Sequence, residues 1–326
     1  MEPPARLILV PQLPISMRYQ EWWRGDLVHH LHPSFQTVVV LGASAPIEAP
    51  RAGFSVADAA VKNELRQMRQ YVDLQPTDRD VLLHCDLSYP GLFHNVLFQH
   101  RPGRAVVICH ASALNRYDIW QPVRKDKWAV ERAHAKLYDA VLVATHYHKR
   151  KINLPNTVVM GGLPNPPDRI LPFRSDPPVP VGMDRRTIMF GSTARPSLQK
   201  VTLSVEAAVE KLTEERVHRD AHYSWDSYYR FLDRCEFLLV TAKEETYGYQ
   251  VVDAVLRGCI PIAPRAYSYP ELLPDDQLYD NDASPEVKAQ QIQKIVKATR
   301  GRTPLLKCAK SAHQFYPTLL RALRGC

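Results

Sequence analysis

The chain of 326 residues is long enough for two hydrophobic cores, and its 45% apolar and 23% charged residues exclude disordered, collagen-like and disulfide-stapled classes. The 42 Lys and Arg against 34 Asp and Glu leave a net charge of +8, and no run approaches the roughly 18 consecutive apolar residues of a membrane span. Met1–Val10 (MEPPARLILV) lacks the basic start and long apolar core of a secretory signal, so the expected protein is cytoplasmic, touches no membrane and works as a monomer.

In chain order, apolar runs of strand length fall at Leu7–Val10, Val38–Leu41, Val81–Leu83, Ala105–Cys109 and Ala140–Ala144. A helical pattern at Lys127–Tyr138 sets Trp128, Val130, Ala133 and Leu137 near one face. Short buried strands separated by helices predict a parallel, doubly wound α/β sheet. Leu154–Val181 carries prolines 155, 164, 166, 167, 172, 177, 178 and 180, too many for helix or central strand, and reads as an extended linker. After it come strands at Thr187–Phe190, Phe237–Val240 and Ile260–Ala263. Helices are predicted at Leu198–Leu212, Trp225–Arg234, Thr246–Arg257, Pro285–Thr299 and Thr303–Leu323. The expected domains are 1–160, a proline-rich linker at 161–182, a second α/β domain at 183–302, and a basic helix at 303–326 that packs back on the first domain. Two such domains predict a cleft at the carboxyl ends of both sheets.

From Ala283 onward, nine basic residues (Lys288, Lys294, Lys297, Arg300, Arg302, Lys307, Lys310, Arg321 and Arg324) face one acid, Glu286. A localised basic surface attracts a polyanion such as nucleic acid. The same pattern suits a pair of solubilising helices. The six cysteines, at 85, 109, 235, 259, 308 and 326, show no C-x-x-C spacing and read as reduced core thiols.

The most informative stretch is Phe237–Pro270. An apolar strand runs into Lys243-Glu244-Glu245, and a helix is expected to open at Thr246 as N-cap and to stop before Gly258. Thr246, Tyr249, Gln250, Asp253 and Arg257 fall on one side of that helix, with Val251, Val252 and Val255 opposite. A helix N-terminus after a strand suits a diphosphate, and Gly248 removes a side chain where one would approach. Glu245 and Asp253 can accept hydrogen bonds from separated hydroxyls of one elongated polyol. An amphipathic helix with a capping acid and a solvated Asp would show the same spacing.

Glu245-x-Tyr247-Gly248, Asp253 after seven intervening residues, and Gly258-Cys-Ile-Pro261 resemble the E-x7-E signature of retaining, GT4-like GT-B glycosyltransferases. The resemblance covers about residues 105–274 and implies two Rossmann-like domains facing each other across a cleft. It makes Glu245 the donor-sugar contact and Asp253, where the family has Glu, the ribose contact. Arg195 and Lys200, five residues apart after Thr187–Phe190, match the family's phosphate ligands. His110, in Cys109-His110-Ala-Ser-Ala-Leu-Asn115, matches its histidine beside the donor sugar. The implied catalytic set is therefore Glu245, His110, Arg195 and Lys200, with Gly191, Thr246, Tyr247, Gly248, Tyr249 and Asp253 binding the donor. The family's glycine-rich loop is absent, and Pro11–Trp23 stands in its place.

Asp86-Leu87-Ser88-Tyr89 and Tyr269-Pro270-Glu271-Leu272, within Gly258–Tyr279, are similar to tRNA-queuosine mannosyltransferases and to phage-encoded DNA hydroxymethylpyrimidine glycosyltransferases. A flipped base needs aromatic platforms and cations. Arg18, Tyr19, Trp22, Asp86, Tyr89, Asn115 and Arg116 are the acceptor candidates, with Trp23, Tyr117 and Trp120 beside them on rim loops; core burial suits Trp22 and Trp23 equally. The reading is a hexosyltransferase using UDP-glucose as co-substrate, without cofactor or metal, in the cytoplasm, which is the host's if the chain is phage-encoded. Its acceptor is 5-hydroxymethylpyrimidine in DNA first and a tRNA base second. The same fold acting on polysaccharide, lipid or a small metabolite, or an inactive nucleic-acid-binding module, stays open. The histidines at 29, 30, 32, 146 and 148 lack partners at metal spacing. Asp78-Arg-Asp80 and Asp280-Asn-Asp282 read as solvated turns.

Overall fold

The computed structural model describes residues 6–15, 19–42, 54–117, 120–164, 187–193, 201–219, 224–307 and 311–325. The chain divides into two compact units, Met1–Pro164 with Ser311–Cys326, and Asn165–Lys310.

The first unit holds six parallel strands, β1 (Arg6–Val10), β2 (Thr37–Val40), β3 (Val81–His84), β4 (Arg104–Ile108), β5 (Ala140–Val143) and β6 (Thr157–Val159), in the order β2-β1-β3-β4-β5-β6. Helices α1 (Gln20–Leu31), α2 (Phe54–Leu74), α3 (Arg124–Ala135) and α4 (His146–Ile152) run between them. Strands β3, β4 and β5 are almost wholly buried, as a parallel sheet covered on both faces requires. Ile8, Tyr71, Leu82, Phe93, Val107 and Val141 belong to its core. Strand β6 corrects the linker expectation: Val141 of β5 pairs with Thr157, so the chain remains in the sheet past Pro155.

The second unit holds β7 (Ile188–Ser192), β8 (Val217–Arg219), β9 (Cys235–Leu239), β10 (Ile260–Pro264) and β11 (Leu278–Tyr279), all parallel, in the order β11-β10-β9-β7-β8. Its helices are α5 (Leu203–Thr213), α6 (Trp225–Arg234), α7 (Tyr249–Leu256), α8 (Tyr269–Leu272) and α9 (Pro285–Thr299). Phe190, Phe237, Val205, Val209, Ile292 and Val296 form its core, where α9 packs on α5. Helix α6 opens on a Ser224/Ser227 capping box. The last helix, α10 (Ser311–Arg324), belongs to the first unit and packs on β3 and β4.

Three helix starts differ from the sequence expectation. Helix α5 begins at Leu203 because Val201 bridges Ala242 in an antiparallel pair. Helix α7 begins at Tyr249 because Gly248, at φ 95°, takes a backbone conformation that cannot continue a helix upstream. Residues 303–307 are not helical; the Lys307 N–H donates instead to the Leu272 carbonyl at 2.8 Å.

Both sheets reverse their winding at one point. In the first, the chain leaves β1 for β2 on one side and returns to β3 on the other; in the second the same happens between β7 and β9. Loops at the carboxyl ends of strands flanking such a reversal diverge and leave a crevice, the usual ligand position in open α/β sheets. Among the described residues no helix is long and apolar enough to cross a membrane.

Candidate functional site

In the second unit, the loop after β9 carries Glu245. Its Oε1 accepts the backbone N–H groups of Thr246 at 2.8 Å and Tyr247 at 3.3 Å, which fixes the carboxylate at the carboxyl end of the sheet. Thr246 and Tyr247 are buried, and the Tyr247 carbonyl accepts the Ser268 hydroxyl at 3.0 Å. A Cβ on Gly248 would meet the Tyr269 ring at 3.1 Å. Glycine is therefore needed there for its φ and for that ring, and not only for a ligand. Tyr247 and Tyr249 meet edge to face at 5.0 Å. The end of β7 is tied to this loop's helix by the Thr193 hydroxyl, which donates to Gln250 Oε1 at 3.0 Å.

The polar stripe of α7 is not an open face throughout. Asp253 and Arg257 are buried, Asp253 accepting the Tyr228 hydroxyl at 2.9 Å and Arg257 donating to Asp233 from Nε at 2.7 Å. Both contacts run to α6, which sequence spacing on α7 alone could not reveal. Gly191 is likewise a packing residue, since a Cβ there would strike the Cys235 sulfur and meet the Phe231 ring at 3.1 Å. Arg195 and Lys200 lie outside the described residues.

In the first unit, three strand ends converge. Gln12 follows β1, Asp86 follows β3 and His110 follows β4. Gln12 Nε2 donates to the Asp86 carboxylate and stands 3.3 Å from His110 Nδ1, itself 3.9 Å from Asp86 Oδ2. Burial pushes the Asp86 carboxyl above the usual carboxylate range, against the opposing pull of His110 and of hydrogen bonds from the Ser88 backbone and Gln12. Tyr19 and Trp23 present ring edges to His110 at 5.8 and 6.0 Å.

The acceptor candidates spread around this centre. Trp22 and Trp23 sit within α1 and are buried, the core position that stood open beside a rim loop. Asn115 is buried, and its Oδ1 accepts Lys151 Nζ at 2.5 Å. Tyr89 lies 6.0 Å from Trp120, whose ring also carries Lys127 Nζ at 4.6 Å. Arg116 is exposed and lines, with Tyr117, Arg124 and Lys125, an open cavity of about 590 Å³. Arg18 lies outside the described residues.

Glu131 is the residue the sequence reading passed over. Fully buried on α3, it accepts the Ser88 hydroxyl at 2.5 Å and the Ala113 N–H at 2.9 Å. It thereby locks the loop carrying Asp86 to the one carrying His110, and burial raises its carboxyl. The signal was present: Trp128, Glu131 and Ala135 share one helical face by i, i+3, i+7 spacing, and that face is the inward one, whereas Val130 is exposed. Asp80, expected in a solvated turn, is buried and held by Arg6 at 2.9 and 2.6 Å. The four described cysteines, 85, 109, 235 and 259, are free and buried. No group of three or more potential metal ligands is assembled among the described residues.

Two doubly wound parallel α/β units in one chain define the GT-B class of fold. Sucrose-phosphate synthase from Thermosynechococcus elongatus matches 98% of this chain with 94% of its own (TM-score 0.61, 12% identity). Anabaena HepE in complex with UDP-glucose matches with 98% of each chain (TM-score 0.58, 13% identity). Both are GT-B glycosyltransferases. UDP-N-acetylglucosamine 2-epimerase from Rickettsia bellii shares the fold over 98% of this chain and 96% of its own (TM-score 0.59, 12% identity). No protein-family model matches the chain. Over 84 residues the sequence is 32% identical to the tRNA-queuosine alpha-mannosyltransferase of Drosophila melanogaster. That match spans 26% of this chain and 22% of the mannosyltransferase.

Proposed function

We propose that this chain is a glycosyltransferase that moves a sugar from a nucleotide-sugar to a hydroxyl of a modified nucleobase. The observation that carries the reading is Glu245, whose carboxylate is held by two backbone N–H groups beside the winding reversal of the second sheet. A fixed carboxylate there contacts the sugar most strongly while it carries oxocarbenium charge. The bond between the anomeric carbon and the diphosphate oxygen breaks. The acceptor oxygen bonds to the same face, and its proton passes to the departing phosphate. The products are a nucleoside diphosphate and an α-glycosylated base. Arg195 and Lys200 are assigned to the developing diphosphate charge, Asp253 to the ribose, and no metal is required.

The nucleobase acceptor rests on the Asp86–Tyr89 and Tyr269–Leu272 likenesses and on the 84-residue match to the tRNA-queuosine alpha-mannosyltransferase. That match moves a tRNA base ahead of 5-hydroxymethylpyrimidine in DNA as first acceptor. UDP-glucose remains the first donor to try. The test incubates the chain with UDP-, GDP- and ADP-sugars and with tRNA or hydroxymethylated DNA, with and without EDTA, then digests to nucleosides and weighs them. A hexose mass on one nucleoside is expected, in EDTA as well. Nucleic-acid retention without turnover of any donor would leave only a binding module.

A further inference from the structure

What His110 can do at the end of β4 depends on which of its ring nitrogens carries the proton, and its neighbours decide that. Nδ1 is turned to Gln12, whose amide Nε2 stands 3.3 Å away. The Asp86 carboxylate lies 3.9 Å from the same nitrogen, beyond hydrogen-bond reach. Tyr19 and Trp23 pack on the ring at 5.8 and 6.0 Å and hold it in place. The His110 side chain keeps 14% exposure and that of Asp86 only 4%, so the contact with Gln12 lies on the inward edge of the imidazole.

Gln12 reaches both partners from one atom. Its Nε2 carries a pair of N–H groups, one of which donates to Asp86. The other is left for His110, so Nδ1 must present its lone pair and the neutral ring carries its proton on Nε2. Turned over, the amide would set its oxygen between a protonated Asp86 and an Nδ1–H group, and the ring would take the other tautomer. The far end of the amide opposes that state. Gln12 Oε1 is buried and has no hydrogen-bond partner among the described residues, and exchanging the two ends would put a pair of unpaired N–H groups where one unpaired oxygen now lies. Asp86 opposes it as well. Its Oδ1 accepts the Ser88 N–H at 2.8 Å, which favours the ionised carboxylate, and with it a donor in Gln12, against the contrary effect of burial.

We propose that Gln12 is a positioning residue that holds His110 in its Nε2–H tautomer, so that His110 meets a substrate oxygen as a hydrogen-bond donor. In that tautomer Nε2 has no lone pair with which to take a proton. A neutral His110 is therefore no general base at Nε2, which agrees with the passage of the acceptor's proton to the departing phosphate. The part played in sugar transfer rests on the glycosyltransferase reading. The tautomer stands without it.

The test reads the ring nitrogens of His110 by long-range proton–nitrogen correlation NMR of the full chain, at a pH where the ring is neutral, with His110→Asn identifying its signals. The Nε2–H pattern is expected in the wild type. Gln12→Met keeps the length of the side chain and removes a buried orphan oxygen, so it should fold. With the amide gone, Asp86 is left to draw the proton to Nδ1, and the Nδ1–H tautomer should become the major one. UDP release from UDP-glucose should fall about tenfold in Gln12→Met, in kcat rather than KM, and the substitution should cost nothing further once His110 is replaced by Ala. An Nδ1–H pattern in the wild type, an unchanged tautomer in Gln12→Met, or full UDP release by that variant would each overturn the proposal. Failure of the reaction shows separately. If the wild type releases no UDP while its Nε2–H pattern is present and is lost in Gln12→Met, transfer from UDP-glucose falls and the positioning of the ring stands.

Discussion

Both sheets reverse their winding beside their first strand, at β1/β3 in one unit and β7/β9 in the other, yet the groups gathered there differ in kind. In the second unit they are the N-terminus of α7, Gly248 and one carboxylate, Glu245, held by the N–H groups of its own loop. In the first they are side chains drawn from distant segments: Gln12 reaches Asp86 across 74 positions and His110 across 98. Backbone donors are available to any sequence, which suits a ligand portion common to many reactions, such as a diphosphate. A wall of side chains must be composed for one ligand. The common half of the proposed reaction thus falls to the second unit and the particular half to the first. Each unit braces its loops with a buried glutamate. Glu131 on α3 holds Ser88 and Ala113, and Glu206 on α5 holds the Thr241 hydroxyl at 2.8 Å together with Arg219.

The sharpest way to break this comparison is Glu245→Ala. Losing one contact made chiefly in the transition state should cut sugar transfer by about 100- to 1,000-fold, read as kcat on a fixed nucleotide-sugar. The unfolding free energy should fall by only about 1 kcal/mol, because the N–H groups of Thr246 and Tyr247 lose their acceptor at a half-buried site. Wild-type turnover would end the donor assignment. Glu131→Ala should show the opposite division. It strands the Ser88 hydroxyl and the Ala113 N–H in a dry interior, costing about 2–4 kcal/mol in urea unfolding. Because it releases both loops, it should also weaken the acceptor half more than UDP binding. A loss confined to UDP binding would mean that the two units do not divide the work as argued.

The sequence made the frame of the molecule readable and left its joints obscure. Runs such as Leu82-Leu83 and Val106-Val107-Ile108 announce central parallel strands because both faces are buried. Strands β8 and β11, of three and two residues, carry no pattern long enough to read. The start of α7 hid in Gly248, whose positive φ is not a property of its neighbours in sequence. Glu245 was legible because its chemistry is local, an acid at a strand-to-helix mouth. Gln12 was not, because a lone glutamine after a strand acquires meaning only from partners far along the chain.

A smaller effect tests the buried polar interior of the first unit. His148, on α4, is fully buried and its imidazole is pushed down to about 3, by burial first and by the Lys151 and His110 charges second. The unfolded histidine takes a proton near pH 6.5 and the buried one refuses it. Its contribution is therefore constant above that pH and is lost as pH falls toward 3, at about 1.4 kcal/mol per pH unit. His148→Leu should flatten the slope of stability against pH between 6 and 4 by one proton's worth. An unchanged slope would show that His148 is protonated in the folded chain.

The least effect is expected from the basic tail, and here the two units can be set against each other directly. Of its cations, Arg300 is paired with Glu236 at 2.9 Å, Arg302 with Asp276 at 2.9 Å and Lys307 with Asp275 at 2.8 Å. A cation already matched by a carboxylate releases few counterions when a phosphate approaches. Lys294 and Lys297 are exposed on α9 of the second unit, and Arg321 is exposed on α10 of the first. The first unit instead groups Arg116, Arg124 and Lys125 around one cavity. Each phosphate contact contributes about 0.7–0.9 to the slope of log affinity against log salt. Arg116→Ala, Arg124→Ala and Lys125→Ala combined should therefore lower that slope by about 2–3 for a tRNA or DNA ligand. Lys294→Ala with Lys297→Ala should lower it by less than about 1, since α9 is given no part in holding the base. Filter binding across a salt series measures both, and a larger change from the α9 pair would move the polyanion contact to the second unit.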